Sequence, residues 1–353
     1  MKILINVPSL KFLGGVANHY LGLKLYWTEN VKYNIVGKRN EKLPVTSGKY
    51  WLPWDIIKFL YEIIFWRPDA VLLNPSFGRS AIIRDMIFLF ISITMGKKTF
   101  IFIHGWEKEY SKKTNKKIFI KLCNKSTGIF VLATTFKNKL ASWGIKTPVF
   151  LSTTKVNDRL IEGFDINSKN GEIKTLLFLA RVEIDKGILI AINTFNILKQ
   201  KHPTLKLEIV GDGKGLDESK KYVTDNNIKD VNFKGRLSGT DLIEAFKNGD
   251  LYIFPTYYGE GMPTSVLEAM AFGLPVITRP VGGVADFFEN DKMGFITESL
   301  EPKVFAEGIE KLIKSPEKCR EISQYNYKYA KEHFMASTVA KNIEKKIKCG
   351  LKS

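Results

Sequence analysis

Short apolar runs alternate with longer stretches of helical periodicity along most of the chain. Apolar runs of about four to eight residues bounded by turn residues predict buried strands, and the longer periodic stretches between them predict helices. This alternation favours parallel sheets with helices on both faces. The predicted strands are 2–7, 70–74, 99–104 and 128–133 in the first half, and 174–180, 206–211, 231–235, 251–255 and 275–279 in the second.

Length and linker composition predict two domains. A chain of 353 residues exceeds what one hydrophobic core usually supports, and both halves show the pattern of a Rossmann-like, doubly wound domain. The polar stretch 153–172 is the best candidate for the linker. We therefore predict an N-terminal domain over 1–160, a second domain over 161–334, and a C-terminal helix within 335–353 that packs back toward the first domain.

The N-terminus, the apolar runs and the cysteines bear on the compartment. Residues 1–6 run directly into Pro8, which indicates a strand rather than a signal peptide. The longest uncharged apolar run, 86–95, is too short to span a bilayer and predicts a buried helix. Three scattered cysteines without metal-ligand spacing predict a reducing compartment, and so a cytoplasmic protein: Cys123, Cys319 and Cys349.

The net charge of +18 is concentrated in the first half of the chain. Residues 1–165 hold 26 Lys and Arg against 11 Asp and Glu, whereas residues 166–353 hold 28 against 25. Such a positive field suits an anionic membrane surface or nucleic acid. Because no recognised nucleic-acid module or aromatic stacking pattern accompanies the lysines, we expect no nucleic-acid partner.

Segment 112–125 concentrates this charge around a short apolar core. Its pattern predicts a basic amphipathic helix that can lie on anionic lipid. An ordinary lysine-rich helix face in water fits the same pattern, and the sequence leaves both open. The lysines are Lys112, Lys113, Lys116, Lys117, Lys121 and Lys125, and the apolar residues are Ile118, Phe119, Ile120 and Leu122.

The densest group of chemically suggestive residues lies at 257–277. Glu260 stands between two glycines in a turn, and Glu268 lies in the helix that follows. Thr264 and Ser265 begin that helix, where exposed N–H groups and a partial positive charge favour phosphate. Because carboxylates repel phosphate, we expect the two glutamates to bind neutral hydroxyls on either side of it, as a nucleotide-sugar would offer.

Glu268 also fits a purely structural role. Ser265 and Glu268 have the spacing of a capping box, in which the carboxylate returns a hydrogen bond to the helix N-terminus. The two roles are compatible with each other. Glu260 has no such local role, because a carboxylate between two glycines in a turn has little to stabilise.

Further candidates follow three other predicted strands. Arg181 and Lys186 are two cations five positions apart, which suits clamping of a diphosphate. The pair Gly14 and Gly15 would let the backbone approach a ligand closely, although a plain turn fits equally. His104 could donate a hydrogen bond to a sugar hydroxyl or assist proton movement, with a structural role as the alternative.

These segments resemble the retaining glycosyltransferases of family 4, the glycosyl transferases group 1. The Glu-Gly-Met-Pro and Glu-Ala-Met-Ala segments that begin at Glu260 and Glu268 are similar to the family's motif of two glutamates separated by seven residues. Segment 179–187 is similar to the family's Gly-Arg-Leu…Lys-Gly, with Ala180 in place of the usual glycine. The resemblance covers nearly the whole chain.

Two more segments carry the resemblance. Glycines at 211, 213 and 215 lack the spacing of a dinucleotide fingerprint, but 211–213 is similar to the family's Gly-Asp-Gly turn beside the nucleotide. Segment 233–237 resembles the family segment whose backbone borders the base. Glu107, shortly after His104, is a candidate for a neighbouring acid of the family.

The resemblance implies an α/β protein of the GT-B fold, with two Rossmann-like doubly wound domains facing each other across a cleft. It implies transfer of a sugar from a nucleotide diphospho-sugar with retention of configuration. The implied catalytic residues are Glu260, His104, Arg181 and Lys186. The implied donor-binding residues are Gly14, Gly15, Gly211, Arg236, Leu237, Gly261, Met262, Pro263, Thr264, Ser265 and Glu268.

The implied donor is UDP-linked, with GDP left open, and the implied acceptor is a glycan or a lipid-linked glycan. Resemblance and charge together predict surface polysaccharide synthesis at the inner face of the cytoplasmic membrane, with the basic first domain on the lipid. No Asp-x-Asp motif, His/Cys cluster or P-loop is present in the sequence, so no metal cofactor is expected. The oligomeric state stays open.

Two other classes of protein stay open. A nucleotide-sugar epimerase of the same fold would isomerise the donor without an acceptor. A catalytically silent nucleotide-sugar-binding subunit would bind the donor without turnover.

Overall fold

The computed structural model describes residues 1–11, 14–38, 50–75, 79–105 and 116–352. Glu107 and the first four residues of the basic segment 112–125 lie outside these ranges. The chain forms two compact units. The first unit comprises Met1–Lys155, Gly259–Met262 and Ala336–Ser353, and the second comprises Val156–Tyr258 and Pro263–Met335.

A parallel six-stranded sheet forms the centre of the first unit, with the order β2-β1-β3-β4-β5-β6. β3 and β5 are buried along their whole length, which explains their continuous apolar runs. The strands are β1 (Lys2–Val7), β2 (Asn30–Ile35), β3 (Ala70–Leu73), β4 (Lys98–Ile103), β5 (Gly128–Val131) and β6 (Val149–Leu151).

Among the described residues, four helices that follow β2 in the chain, together with a π-helical turn, cover one face of this sheet. Phe59, Phe88, Phe119 and Phe136 project from these helices into one buried cluster with the strands. The predicted helix 86–95 lies in the third helix of the unit except for Met95, but the prediction that it is buried is wrong, because Phe90 and Met95 are 56% and 43% exposed. The helices of this half of the chain are α1 (Gly15–Leu23), α2 (Leu52–Tyr61) with the π-helical turn (Glu62–Trp66), α3 (Arg79–Thr94), α4 (Lys116–Cys123) and α5 (Thr134–Ser142).

The second unit contains another parallel six-stranded sheet, with the order β12-β11-β10-β7-β8-β9. Its strands are β7 (Thr175–Leu179), β8 (Lys206–Val210), β9 (Val231–Gly235), β10 (Leu251–Phe254), β11 (Val276–Thr278) and β12 (Gly294–Ile296). Its helices are α6 (Ile188–Lys199), α7 (Leu216–Asp225), α8 (Gly239–Asn248), α9 (Thr264–Ala271), α10 (Pro302–Ile313) and α11 (Pro316–His333).

The last helix, α12 (Ala336–Lys352), belongs to the first unit. The Glu344 carboxylate accepts hydrogen bonds from the Thr28 backbone N–H and hydroxyl and from the Glu29 N–H, at 2.6–2.8 Å. Gly350 lies so close to Phe100 that a Cβ built there would be 2.7 Å from the ring. These contacts fasten the end of the chain to the strands and helices of its beginning.

The polar stretch 153–172 is structured, and the boundary between the units lies within it, after Lys155. Lys169 is buried, and its ammonium donates to the carbonyl oxygens of Lys247 and Gly249 at 2.6 and 2.5 Å. It thereby satisfies carbonyl groups at the C-terminal end of α8. Burial lowers the pKa of Lys169 to about 8. Polar side chains that led to the linker prediction therefore satisfy backbone groups at the ends of helical segments.

Candidate functional site

Two cations meet one aromatic ring beyond the carboxyl end of β7. Lys186 ends a short 3-10 turn (Ile184–Lys186) and is only 5% exposed. Its ammonium nitrogen lies 3.9 Å from the centroid of the Tyr258 ring, and the guanidinium carbon of Arg181 lies 6.0 Å from the same centroid. Attraction to the face of the ring favours both positions, and Lys186 makes the closer contact. Arg181 also pairs with Glu183 at 3.1 Å.

The turn that carries Lys186 is pinned to the segment after β10. The Asp185 carbonyl oxygen accepts from the N–H groups of Tyr257 and Tyr258, at 2.9 and 3.0 Å. Gly187 follows with φ +82°, and a Cβ there would lie 2.3 Å from the Pro255 carbonyl oxygen. Only glycine permits both this conformation and this approach. The position of Lys186 is therefore set by rigid backbone contacts.

The glycine turn after β8 packs against the segment after β7. Gly211 has φ +144°, and a Cβ there would lie 1.8 Å from the Ala180 carbonyl oxygen. Val182 donates its N–H to Asp212 at 3.1 Å and accepts from the Gly215 N–H at 2.9 Å. The glycines thus allow two backbone segments to pack closely. Packing alone therefore explains why residue 211 is a glycine, whether or not it contacts a ligand.

The start of α9 lies beside these loops. Pro263 is its N-cap residue, and within the described part of the chain no side chain caps this end. The Tyr252 hydroxyl lies 2.9 Å from the Leu179 carbonyl oxygen and 2.7 Å from Ser265 Oγ, so it ties the helix start to the end of β7. Because Ser265 is two residues beyond the N-cap, the capping box with Glu268 is wrong.

The remaining predicted residues of the second unit are distributed around the same sheet edge. Arg236 is exposed and Leu237 half-buried, directly after β9, and Gly211 donates its N–H to Gly235 at 2.8 Å. Glu268 is partly exposed within α9. The carboxyl ends of parallel strands share one edge, where ligands bind in open α/β sheets. The second unit thus gathers onto that edge Arg181, Lys186, Gly211, Arg236, Leu237, Pro263, Thr264 and Ser265.

His104 belongs to a separate polar cluster in the first unit. It follows β4, stacks on Phe102 with ring centroids 4.0 Å apart, and has Nε2 3.0 Å from Asn74 Oδ1. The Asn74 amide group donates to the Asn6 carbonyl oxygen at 2.8 Å, which fixes its orientation. The Tyr20 hydroxyl donates to the same Asn74 oxygen at 2.7 Å. Since this oxygen only accepts, the Nε2 of His104 must carry the proton.

The tautomer of His104 follows from this network. Burial lowers the pKa of His104 to about 3, so the ring is neutral near pH 7. With the proton on Nε2, the other ring nitrogen, Nδ1, has a lone pair and can only accept. In this tautomer Nδ1 can accept a hydrogen bond from a hydroxyl but cannot donate one, which does not fit the predicted donation to a sugar hydroxyl. The role of His104 in the reaction stays a prediction.

The sequence missed the residues around His104. Neither ring nitrogen of the buried His19 has a hydrogen-bond partner among the described residues, and its ring centroid lies 4.9 Å from that of His104. Burial, His104 and Lys155 all lower the pKa of His19. Two features of the sequence could have indicated these residues. His19 and Tyr20 follow shortly after the glycine pair, and the polar Asn74 ends an apolar strand.

The glycines and glutamate of the first unit differ in their surroundings. Gly14 and Gly15 are exposed at the start of α1, and a Cβ on either would meet no atom of the described residues within 4 Å. Gly261 is different, because its Cβ would lie 2.3 Å from the His104 carbonyl oxygen. Glu260 is partly exposed next to it, and Met262 is buried.

We expect the free energy of unfolding to fall as the pH drops below about 6.5, the ordinary pKa of histidine. The folded state keeps His104 neutral because burial holds its pKa at about 3, whereas the unfolded chain takes up a proton. Stability is therefore full above pH 6.5 and lost as the pH falls toward 3. The loss from His104 at pH 5 is about 2 kcal/mol. Denaturant unfolding at about pH 7.5 and about pH 5 measures it.

In His104→Gln, the free energy of unfolding should fall by about 2 kcal/mol less between about pH 7.5 and about pH 5 than it does in wild type. Equal pH dependence in His104→Gln and wild type would contradict the neutral, buried ring.

Two general features of the described residues complete the site. They contain no group of three or more His, Cys, Asp or Glu side chains placed to hold a metal ion. Among the same residues, none of the helices combines the length and the apolarity that a membrane span requires.

Solved structures share this fold. Anabaena HepE, solved in complex with UDP, is similar to this chain with a TM-score of 0.77 and 17% identity, over 99% of this chain and 100% of that one. Two parallel six-stranded sheets with helices, as in that protein, are the GT-B fold. At this identity the likeness concerns the fold.

Sequence comparison identifies the family. Residues 162–329 match the family described as glycosyl transferases group 1. The capsular polysaccharide biosynthesis glycosyltransferase CapM of Staphylococcus aureus is 33% identical over 165 residues, 46% of this chain and 42% of that protein. An uncharacterised glycosyltransferase of Haemophilus influenzae is 32% identical over 148 residues, 41% of each protein. The chain thus spans less than half the length of these curated relatives. Residues 162–329 belong to the group 1 glycosyltransferases, as the motifs predicted.

Proposed function

We propose that the protein is a retaining glycosyltransferase that moves a sugar from a nucleotide diphospho-sugar to a hydroxyl of a glycan or lipid-linked acceptor. The observation that carries this proposal is the cluster of Lys186, Arg181 and Tyr258 at a sheet edge within the residues that match group 1. The sugar is of the hexosyl or N-acetylhexosaminyl type.

The donor diphosphate binds Arg181, Lys186 and the start of α9. Two cations held near one ring neutralise the charge that grows on the leaving diphosphate. The N–H groups around Thr264 and Ser265 add partial positive charge, and no side chain in the described residues caps them. These groups are charged without a metal ion, so we propose a metal-independent reaction.

The sugar and ribose bind the glutamate-containing segment. Glu260 and the backbone of Gly261–Pro263 hold the donor sugar, and Glu268 accepts a hydrogen bond from the ribose. Arg236, Leu237 and the Gly211 turn border the nucleotide. Both glutamates are partly exposed, which is compatible with these roles.

The acceptor hydroxyl approaches on the side of the first unit. His104 Nδ1, which can only accept, takes a hydrogen bond from this hydroxyl or from the sugar. Open space over Gly14 and Gly15 supports a close approach of the donor or acceptor to their backbone. The acceptor proton passes to the leaving phosphate oxygen as the new glycosidic bond forms on the same face of the sugar.

UDP is the proposed nucleotide, because HepE, which shares the fold over nearly the whole chain, was solved with UDP. The proposed process is synthesis of a bacterial surface polysaccharide, supported by the likeness to CapM, whose description names capsular polysaccharide biosynthesis. We also propose a cytoplasmic protein bound peripherally to the inner face of the membrane through its basic first unit.

We expect Glu260→Gln to lower kcat/KM by about tenfold to a hundredfold, because the variant loses a charge-assisted hydrogen bond to a sugar hydroxyl. Radiolabelled sugar transfer from UDP-sugars to a lipid-linked acceptor, with and without EDTA, measures it. The control is Glu298→Gln, an exposed glutamate that the proposal leaves outside the site.

The same assay separates the other classes of protein. An epimerase would convert the UDP-sugar without acceptor, and a silent binding subunit would show a UDP-dependent rise in Tm without turnover. Either result would contradict the proposed sugar transfer. Transfer that occurs without EDTA and is lost with EDTA would contradict the proposed metal independence.

A further inference from the structure

The helix α2 and the π-helical turn after it bury two acidic side chains and expose several large apolar ones, the reverse of the usual arrangement. Asp55 and Glu62 are buried together with Phe59 and Ile63. On the solvent side lies a set of large apolar side chains, each 47–68% exposed, which we call the aromatic face. It consists of Trp54, Ile57, Tyr61, Ile64 and Phe65.

The buried carboxylates fix this orientation. Asp55 accepts a hydrogen bond from the Gly37 N–H at 2.7 Å, and Glu62 pairs with the Lys32 ammonium at 2.6 Å. Turning the helix to hide the aromatic face would expose Phe59 and break both polar contacts, which is costly for buried carboxylates. The fold therefore holds the aromatic face outward.

Neighbouring helices extend the apolar surface. α3 and α4 pack through Phe88 and Phe119 on the same face of the sheet as α2. Their outer sides expose Ile83, Phe90 and Ile118, each more than half exposed. Neighbouring helices that together expose this many large apolar side chains form a layer that is unusual on a protein surface and indicates a binding partner.

The exposed charge of these helices is positive, which indicates an anionic partner. In α2–α5 and the π-helical turn the acidic residues are Asp55, Glu62 and Asp85, and all three are buried. The same elements expose only basic charge, from Lys117, Lys121, Lys137 and Lys139. By sequence the first unit holds 30 Lys and Arg against 10 Asp and Glu, and the second holds 24 against 26.

We propose that the aromatic face inserts into the interfacial region of an anionic phospholipid bilayer, with the surrounding lysines on the lipid phosphates. Tryptophan and tyrosine favour the headgroup level, and basic amphipathic surfaces bind anionic lipid through buried apolar area plus charge. A second copy of the chain fits less well, because two such layers would bring like charges together. The described part of the basic segment 112–125 lies in this same layer, next to α3.

This inference rests on the proposed membrane association and names the surface that performs it. Vesicle binding needs no sugar transfer. Failure of the binding test would therefore leave the transferase proposal intact, and a catalytically inactive protein could still pass.

The test is flotation of the full chain with vesicles of phosphatidylcholine alone or with about 30% phosphatidylglycerol. We expect binding to the anionic vesicles that weakens with salt. The variant Trp54→Ser/Tyr61→Ser/Phe65→Ser should bind about tenfold less or weaker still. The control Leu25→Ser/Leu151→Ser/Leu300→Ser removes comparably exposed apolar side chains elsewhere and should bind like wild type.

A second measurement does not depend on the folding of the triple variant. Trp54 fluorescence, taken as the difference between wild type and Trp54→Phe, should shift to the blue and be quenched by brominated lipids. Unquenched Trp54 on vesicles, equal binding of both triple variants, or no binding of wild type would overturn the proposal. So would a wild-type dimer that the aromatic-face variant converts to monomer.

Discussion

Lys186→Met should lower kcat for sugar transfer by about a hundredfold to a thousandfold while the protein stays folded. Lys186 is buried, with its ammonium nitrogen 3.9 Å from the Tyr258 ring centroid, at a turn fixed by Gly187. The positive charge is needed most when the diphosphate leaves, so the loss falls on kcat more than on KM. Methionine keeps the packed stem of the side chain and removes the ammonium group. Steady-state kinetics with UDP-sugars measures both constants.

The matched control is Lys331→Met. Lys331 is also held over a tyrosine ring in the second unit, 4.9 Å from the Tyr327 centroid, but on the exposed helix α11. It should leave kcat unchanged. The rise in Tm with UDP should shrink in Lys186→Met and persist in Lys331→Met. A wild-type kcat in Lys186→Met would show that the Lys186 cation does not take part in the reaction.

The buried strands could be predicted from the sequence because burial on both faces produces continuous apolar runs. β3, β5 and β10 are of this kind, with every residue buried. The edge strands β2, β6 and β12 escaped prediction. β6 and β12 have only three residues each, and β2 mixes polar with apolar side chains. Their strand conformation depends on pairing with β5, β11 and β1, which local sequence does not encode.

The candidate site could be predicted only where a local motif carried it. Arg181 and Lys186 stood out because two cations follow one strand, and the family match at 162–329 supports that segment. Tyr258 and Asn74 did not stand out, since each acts through a partner far away in sequence: Tyr258 over Lys186, and Asn74 beside His104. The direction of the His104 hydrogen bond likewise needed the oriented Asn74 amide. The roles of these residues in the reaction stay predictions.

Gly211→Ala should destabilise the second unit by about 3 kcal/mol or more, because φ +144° disfavours a side chain and the new Cβ would lie 1.8 Å from the Ala180 carbonyl oxygen. Relief would require the loops after β7 and β8 to separate, and with them the segment that carries Arg181. We expect a fall in Tm of about 6–12 °C, measured by calorimetry, with loss of activity as a consequence of lost structure.

Gly14→Ala provides the contrast that separates a structural glycine from a binding glycine. Gly14 has an extended backbone with φ 168°, which any residue adopts, and within the part of the chain that the structure describes a Cβ there meets no atom within 4 Å. Its Tm should equal that of wild type, whereas sugar transfer should fall because the added methyl group occupies the space proposed for substrate. Unchanged transfer in Gly14→Ala would assign the glycine pair to a plain turn. A Gly211→Ala protein as stable as wild type would show that the two loops are not packed as described.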